Sequence, residues 1–227
     1  MSIFRKIREK FQSGTALDEI MDDMENLDEV LLKKRLEIFE EVVTPEFSKI
    51  GLSNWDGKYL WYNDFNQEGV KHVIEYNVFK YYGGSFSYGN CFHSVPTFSG
   101  KRLVNHRTDK STKIHFFKRL DEWQKSYENN SHTNPDKIST INENKFRATL
   151  DAVLAHNLPR LTSWFENFTT LEQNIIGLEN DVENPPYEIG QRIVSCEYIL
   201  SFLYKQKGDL ETAELWLQKH FEKQLNS

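Results

Sequence analysis

Histidine and cysteine are the first residues to place, because imidazole is the usual general base and metal ligand near neutral pH and thiolate the usual soft nucleophile. The histidines are His72, His93, His106, His115, His132, His156 and His220, and the cysteines are Cys91 and Cys196. Cys91 and His93 lie two apart, which on a strand puts both on one face. With His115 they form a conceivable polar lining for an enzyme or small-molecule pocket, since such pockets are mostly apolar with a few polar groups. Two ligands, however, make half a zinc site, and a nucleophilic cysteine needs an orienting third group that spacing does not supply. A buried thiol beside a hydrogen-bonded histidine is the plainer reading. Gly83-Gly84 lacks the pattern of a phosphate loop, and the chain carries neither G-x-S-x-G nor H-E-x-x-H, so no catalytic residue, metal or cofactor is implied.

Binding chemistry has more to work with. Tyr76, Tyr81, Tyr82, Phe86 and Tyr88 cluster around Gly83-Gly84, with His93 close behind. Rings give contact area at low entropic cost, so this cluster is the candidate surface for a partner or ligand. Strands also favour aromatics for plain packing, but with two faces to fill, one set points away from the core. Charge is the second resource. Asp18, Glu19, Asp22, Asp23, Glu25, Asp28 and Glu29 fall between Thr15 and Val30 with no base among them. Lys101, Arg102, Arg107, Lys110, Lys113, Lys118 and Arg119 face one acid, Asp109, in the stretch 101–119. The two patches could face each other, or the acidic one could mimic a polyanion and block a basic partner. Bases interleaved with His106, His115, Phe116 and Phe117 could hold single-stranded nucleic acid by phosphate contacts and stacking. The net charge of −6 argues against that use.

The elements that must position these residues follow from periodicity. Phe4, Ile7 and Phe11 suit a short amphipathic helix that Ser13-Gly14 breaks. Thr15 then caps a long helix, with acids in its first turns where the dipole favours them. Leu17, Ile20, Met21, Met24, Leu27, Leu31 and Ile38 recur near the helical period, and Pro45 predicts an end near Val43. From 58 to 118 the pattern is that of an antiparallel meander of about four strands. Lys58–Tyr62 is aromatic and strand-like, and 66–69 reads as a turn. Val70–Tyr82 alternates, Gly83-Gly84 signals a hairpin, Ser85–Val95 returns, and Thr112–Phe117 follows a polar, basic loop. Residues 124–140 are polar and turn-rich. From Asn142 onward the spacing is helical. Phe146, Leu150, Val153 and Leu154 mark one helix, and Pro159 predicts the first turn of a second through Leu161, Trp164, Phe165 and Phe168. Leu171, Ile175, Ile176 and Leu178 mark a third, and Asn184-Pro185-Pro186 breaks it. The last segment is a helical hairpin. Ile189, Ile193, Cys196, Ile199, Leu200, Leu203 and Tyr204 lie on one arm, and Leu210, Ala213, Trp216, Leu217 and Phe221 on the other. Gly208-Asp209 is the turn between them.

The expected fold class is therefore α+β, a single unit over 1–227. N-terminal helices (1–45) and a C-terminal helical region (141–225) pack on an antiparallel sheet (58–118). A chain of 227 residues buries enough surface to need no staples, and 38% hydrophobic with 27% charged residues is ordinary globular composition. Aromatics at 14% predict a ring-rich core. The basic start MSIFRKIREKF has no apolar core of a signal peptide, and no apolar run reaches the length of a membrane span. The expectation is a cytoplasmic protein with two reduced thiols and no membrane association.

Two segments carry a resemblance. VIEYNVFKYYGGSFSYGNCFHSVP (73–96) and YILSFLYKQKGDLETAELWLQKHFEK (198–223) resemble the bacterial domain of unknown function 4304. There a polar strand and a strand with a small-residue Asn/Gly element precede C-terminal helices. The run Tyr204-x3-Gly208-Asp209-x3-Ala213-x7-Phe221 is also similar to half of a tetratricopeptide repeat. One unit cannot bury its faces as an array does, so it reads as a packing hairpin. The resemblance implies a fold and no activity. Acidity, abundant aromatics and missing catalytic motifs together point to a non-enzymatic protein-interaction module of the immunity or regulatory type. A pocket near Cys91, His93 and His115 is the alternative.

Overall fold

Long stretches of alternating side chains with few breakers favour long strands, and the centre of this protein is a pair of them. The computed structural model describes residues 26–79, 82–120, 136–185 and 194–225. β3 (Val70–Phe79) and β4 (Gly83–Phe92) pair antiparallel along their whole length, from Val70 opposite Phe92 to Phe79 opposite Gly83. β1 (Asn54–Trp55) and β2 (Leu60–Tyr62) extend the sheet beyond β3, and β7 (Phe116–Arg119) extends it beyond β4. β8 (Ile138–Ser139) caps the far end of β4 at Gly83 and Gly84. A separate two-stranded ribbon, β5 (Thr97–Ser99) and β6 (Arg102–Val104), is inserted between β4 and β7. The order β1-β2-β3-β4-β7 is the expected meander in an α+β fold, with the ribbon added.

Side-chain alternation gives the sheet two different faces. One presents Val70, His72, Ile74 and Tyr76 opposite Phe92, Asn90, Tyr88 and Phe86. Helices cover it. α1 (Leu32–Ile38) runs through a π turn (Phe39–Val43) into α2 (Thr44–Lys49). Phe39 and Phe47 set their rings edge-on against Trp61 at 5.5 and 5.4 Å, and Phe39 meets Tyr76 at 4.9 Å. α3 (Glu143–Asn167) supplies Phe146, Leu150, Val153, Leu154 and Leu161 to the same core. α4 (Leu171–Glu183), α5 (Cys196–Lys207) and α6 (Leu210–Leu225) complete the helical side, with Leu178, Ile199 and Leu203 packing near Val70, Phe92 and Phe116. Asn90, buried on this face, donates to the Phe168 carbonyl at 2.7 Å and to Asn174 Oδ1 at 2.7 Å, tying the α3–α4 corner to the strand.

Several boundaries differ from the sequence pattern, each for a local reason. Thr15 and the acids up to Glu25 lie outside the described residues, as do Phe4, Ile7 and Phe11. Residues 27–31 are not helical. Asp28 and Val30 donate their N–H groups to Ile141 and Thr140, so the backbone there pairs with the segment after β8. Pro45 does not end the helix. It lacks the N–H that an α turn would require, and the π turn absorbs the defect, with the Thr44 N–H reaching Phe39 O. Pro159 likewise lies inside the single helix α3 and starts no new one. It and Ala155, four residues back, are both exposed, so the carbonyl that loses its partner faces solvent. The fourth strand begins at Phe116, because a 3₁₀ turn (Asp109–Ser111) and buried loop residues precede it. α5 begins at Cys196 behind the N-cap Ser195, and Ile189 and Ile193 fall outside the described residues. Gly208 closes the arm in the left-handed conformation, as its type predicts.

Gly83-Gly84 is not the turn. Phe79 pairs with Gly83, and the left-handed position before β4 is Tyr82, with φ 61°. Gly84 is needed for space. A Cβ there would fall 2.1 Å from Tyr76 Oη. That hydroxyl is buried with no hydrogen-bond partner among the described residues. An orphaned buried hydroxyl costs about 1–3 kcal/mol. Tyr76→Phe is therefore expected to stabilise the protein by about 1 kcal/mol, while Gly84→Ala destabilises it by roughly 1–3 kcal/mol through overpacking. Urea denaturation midpoints check both. A destabilised Tyr76→Phe protein would show that the hydroxyl is satisfied.

Candidate functional site

The second sheet face is polar, and the chain returns to cover part of it. Lys71 stands opposite Cys91, Val73 opposite Gly89, Glu75 opposite Ser87 and Asn77 opposite Ser85. Lys71 is 1% exposed. An ammonium buried this far needs a counter-charge and donors in contact with acceptors. The 3₁₀ turn provides them: Lys71 Nζ donates to Asp109 Oδ1 at 2.8 Å and to Thr112 Oγ1 at 3.4 Å. The rings of Tyr62 and Phe65 lie 4.7 and 4.5 Å from the same nitrogen and add cation–π attraction.

Two histidines fasten the remainder of the connection. His106 Nδ1 bonds the Ser111 carbonyl, which can only accept, so this nitrogen carries the hydrogen. Its Nε2 therefore accepts the Thr97 hydroxyl at 2.7 Å, joining the end of the connection to the base of the ribbon. His115 Nδ1 accepts the Phe92 N–H at 2.9 Å, and its ring meets that of His106 edge-on at 4.8 Å. Burial holds His106 below the ordinary histidine range and pushes His115 down to about 3, so both rings are neutral at pH 7. His72, stacked on Phe165 at 4.6 Å on the other face, is lowered by burial to about 4.

The ribbon stands on this base. Phe98 and Leu103 are directly opposed across β5 and β6, and they are 66% and 49% exposed. Gly100, with φ 60°, lies in the tight turn between the strands. Lys101 and Arg102 at the ribbon's turn and Arg107 and Lys110 on the connection after it are exposed, and none forms an ion pair among the described residues. Asp109, the only acid of the stretch 101–119, is committed to Lys71. The result is an exposed apolar pair with two uncompensated cations at its turn and two more on the connection that follows.

The residues singled out from sequence divide accordingly. Tyr76, Phe86 and Tyr88 are 2%, 1% and 6% exposed and belong to the core, where Phe86 packs on Phe47 and Tyr88 on Trp164. The alternation that suggested a binding face instead fills the helix-covered face, so these three form no surface. Tyr82 and His93 are exposed, and His93 meets Phe65 edge-on at 5.6 Å. Tyr81 lies outside the described residues. Cys91 and His93 do not act together: β4 ends at Phe92, Cys91 is fully buried, and His93 lies past the strand in solvent. Burial pushes the Cys91 thiol up to about 11, so it is un-ionised at pH 7, and its sulfur lies 4.0 Å from the His106 carbonyl oxygen. Both cysteines are buried thiols with no disulfide between them. No group of three His, Cys, Asp or Glu side chains among the described residues is arranged to hold a metal ion. Among the described residues the acidic run does not meet the basic stretch; Glu29 pairs with Arg35 at 3.3 Å. No helix among them is long and apolar enough to cross a membrane.

Sequence reasoning passed over Phe98 and Leu103, reading their neighbourhood as a polar loop. The signal was present in FSGKRL, two apolar residues placed symmetrically about Gly-Lys, which is a two-residue hairpin pattern. Lys71 and Asp109 had no comparable signal, since their pairing spans 38 positions. Compared with family models, curated proteins and solved structures, the chain matches none.

The neutral histidines, His106 and His115 buried and His72 half-buried, make stability depend on pH. Their folded pKa values lie below the unfolded value, so the unfolded chain binds more protons, and stability is complete above about pH 6.5 and falls as acid is added. At pH 4.5 His72 and His115 each account for a loss of about 2–3 kcal/mol. Denaturant titrations between pH 7 and 4.5 should show this slope, and His115→Gln should reduce it by about one proton. An unchanged slope in that variant would mean the ring is already protonated in the folded state.

Proposed function

We propose that the protein is a non-enzymatic protein-interaction module, of the immunity or regulatory type, that docks through the β5–β6 ribbon. One observation carries this reading: the cross-strand pair Phe98–Leu103 is exposed at a ribbon whose base is pinned by the buried Thr97–His106 bond and whose following connection is held by Asp109 on Lys71. Scattered exposed apolar residues are ordinary, but an opposed pair on a fixed element is a pre-organised contact. The flanking cations favour a partner surface rich in carboxylates. The reading also draws on what the polar groups of the second face do. Cys91, His106 and His115 are buried and neutral, which suits support of a loop and not proton transfer at pH 7. The resemblance to the domain of unknown function 4304 brings no activity with it.

The test places a photo-cross-linking amino acid at position 98, with a control at exposed Ile176. Irradiation in host cells should give one dominant protein adduct at 98 and none at 176. Lys101→Glu with Arg102→Glu should slow association with that partner roughly tenfold at low salt. Equal labelling at both positions, or adducts to nucleic acid alone, would remove the reading.

A further inference from the structure

The C-terminal helical hairpin has a second open face, which uses no residue of the ribbon. α6 contributes only Ala213 to the buried core. Leu210, Leu217, Phe221 and Leu225 follow at helical spacing beside the flank that packs on α5, a line about 22 Å long. Leu210, Phe221 and Leu225 are 61%, 55% and 87% exposed. On α5, Tyr198, Phe202 and Lys205 lie on one face by the same spacing, and the Tyr198 ring contacts Phe202 at 5.0 Å and His220 at 5.2 Å. Between the two arms runs a groove floored by Ser201 and Ala213 and walled by Phe202, Leu210 and Leu217. Lys205 lines it from α5 and Glu214 from α6.

That arrangement is complementary to itself. Lys205 and Glu214 border the same part of the groove from opposite arms, and no ion pair joins them. A two-fold axis parallel to the helices, lying in the plane of the open face, lays α5 of one molecule over α6 of the other. Lys205 then meets Glu214 of the second copy, twice by symmetry. Phe202 comes over Leu217 of the second copy, and Tyr198 over its Phe221. We propose that this face is the contact of a symmetric homodimer, in which two hairpins form a four-helix layer. Isologous contacts require a patch that complements itself, and a groove with a cation on one rim and an anion on the other does so. A partner uniform in charge would leave one of the two rims unmatched.

Sedimentation velocity of the full chain between about 1 and 100 µM reads the state directly. The wild type is expected to sediment as a dimer at the upper end. Leu217→Glu should give a monomer with unchanged helicity, since that side chain is only half-buried. Lys205→Glu should weaken association tenfold or more by setting like charges against each other at two symmetric places. The double variant Lys205→Glu/Glu214→Lys should recover the wild-type state, an outcome that a folding defect cannot produce. A wild type monomeric throughout overturns the proposal. So does a dimer that Leu217→Glu leaves intact, or a loss that the double exchange does not repair.

Discussion

The ten-residue ladder between Val70–Phe79 and Gly83–Phe92 constrains everything around it. Its register assigns each side chain to one of two faces, and a slip of one residue would exchange them all. In the observed register Tyr76, Phe86, Tyr88 and Phe92 meet the helices and enter the core. The same register puts Lys71, Cys91 and Ser87 on the opposite face. A fully buried lysine is tolerable only with its counter-charge in place. Asp109 supplies that charge from a turn reached after the ribbon, so the connection from β4 to β7 must come back over Lys71. The ribbon's position is thus a consequence of where the ladder put one cation.

The polar groups beneath the connection illustrate how burial separates structural from reactive chemistry. A general base works best with a pKa near the operating pH, and a thiol attacks as its anion. Here burial drives all three buried groups away from that condition: Cys91 up to about 11, His115 down to about 3, and His106 below its ordinary range. A working thiol–imidazole pair would show the reverse, a lowered thiol and a raised imidazole, and Cys91 and His115 are both under 3% exposed. What the shifts describe is a dry contact between a sheet and its covering loop, with the histidines serving as neutral hydrogen-bonding struts.

The sequence made some of this legible and concealed the rest, along a clear line. Local signals read correctly. Helical spacing begins at Asn142, just before α3, Gly208 turns the hairpin, and alternation marks β3 and β4. Signals that depend on what lies across the fold did not. Alternating aromatics announce that a face is apolar, but not that helices cover it, so Tyr76, Phe86 and Tyr88 read as surface. Pro45 and Pro159 looked like breaks because propensity is local, whereas a π turn and a solvent-facing carbonyl are tertiary accommodations. The best candidate contact, Phe98 with Leu103, hid inside a basic segment whose charge drew attention from its hairpin symmetry.

The energetics of the ribbon limit what kind of contact it can make. Burying Phe98 and Leu103 completely contributes about 1.5–3 kcal/mol each. A micromolar complex needs about 8 kcal/mol net, after the entropic cost of association has been met. Two side chains therefore cannot hold a partner alone. Lys101 and Arg102 lie at the tip, and Arg107 and Lys110 along the connection that follows it. Such charges add more to encounter rate and register than to affinity. A partner that is bound tightly must then reach past the tip and cover the connection as well. There the Lys71–Asp109 pair would pass from half-solvated to enclosed, and its Coulomb attraction would strengthen as water leaves. The interaction that fixes the ribbon in the free protein is in this way also the one that complex formation would reinforce.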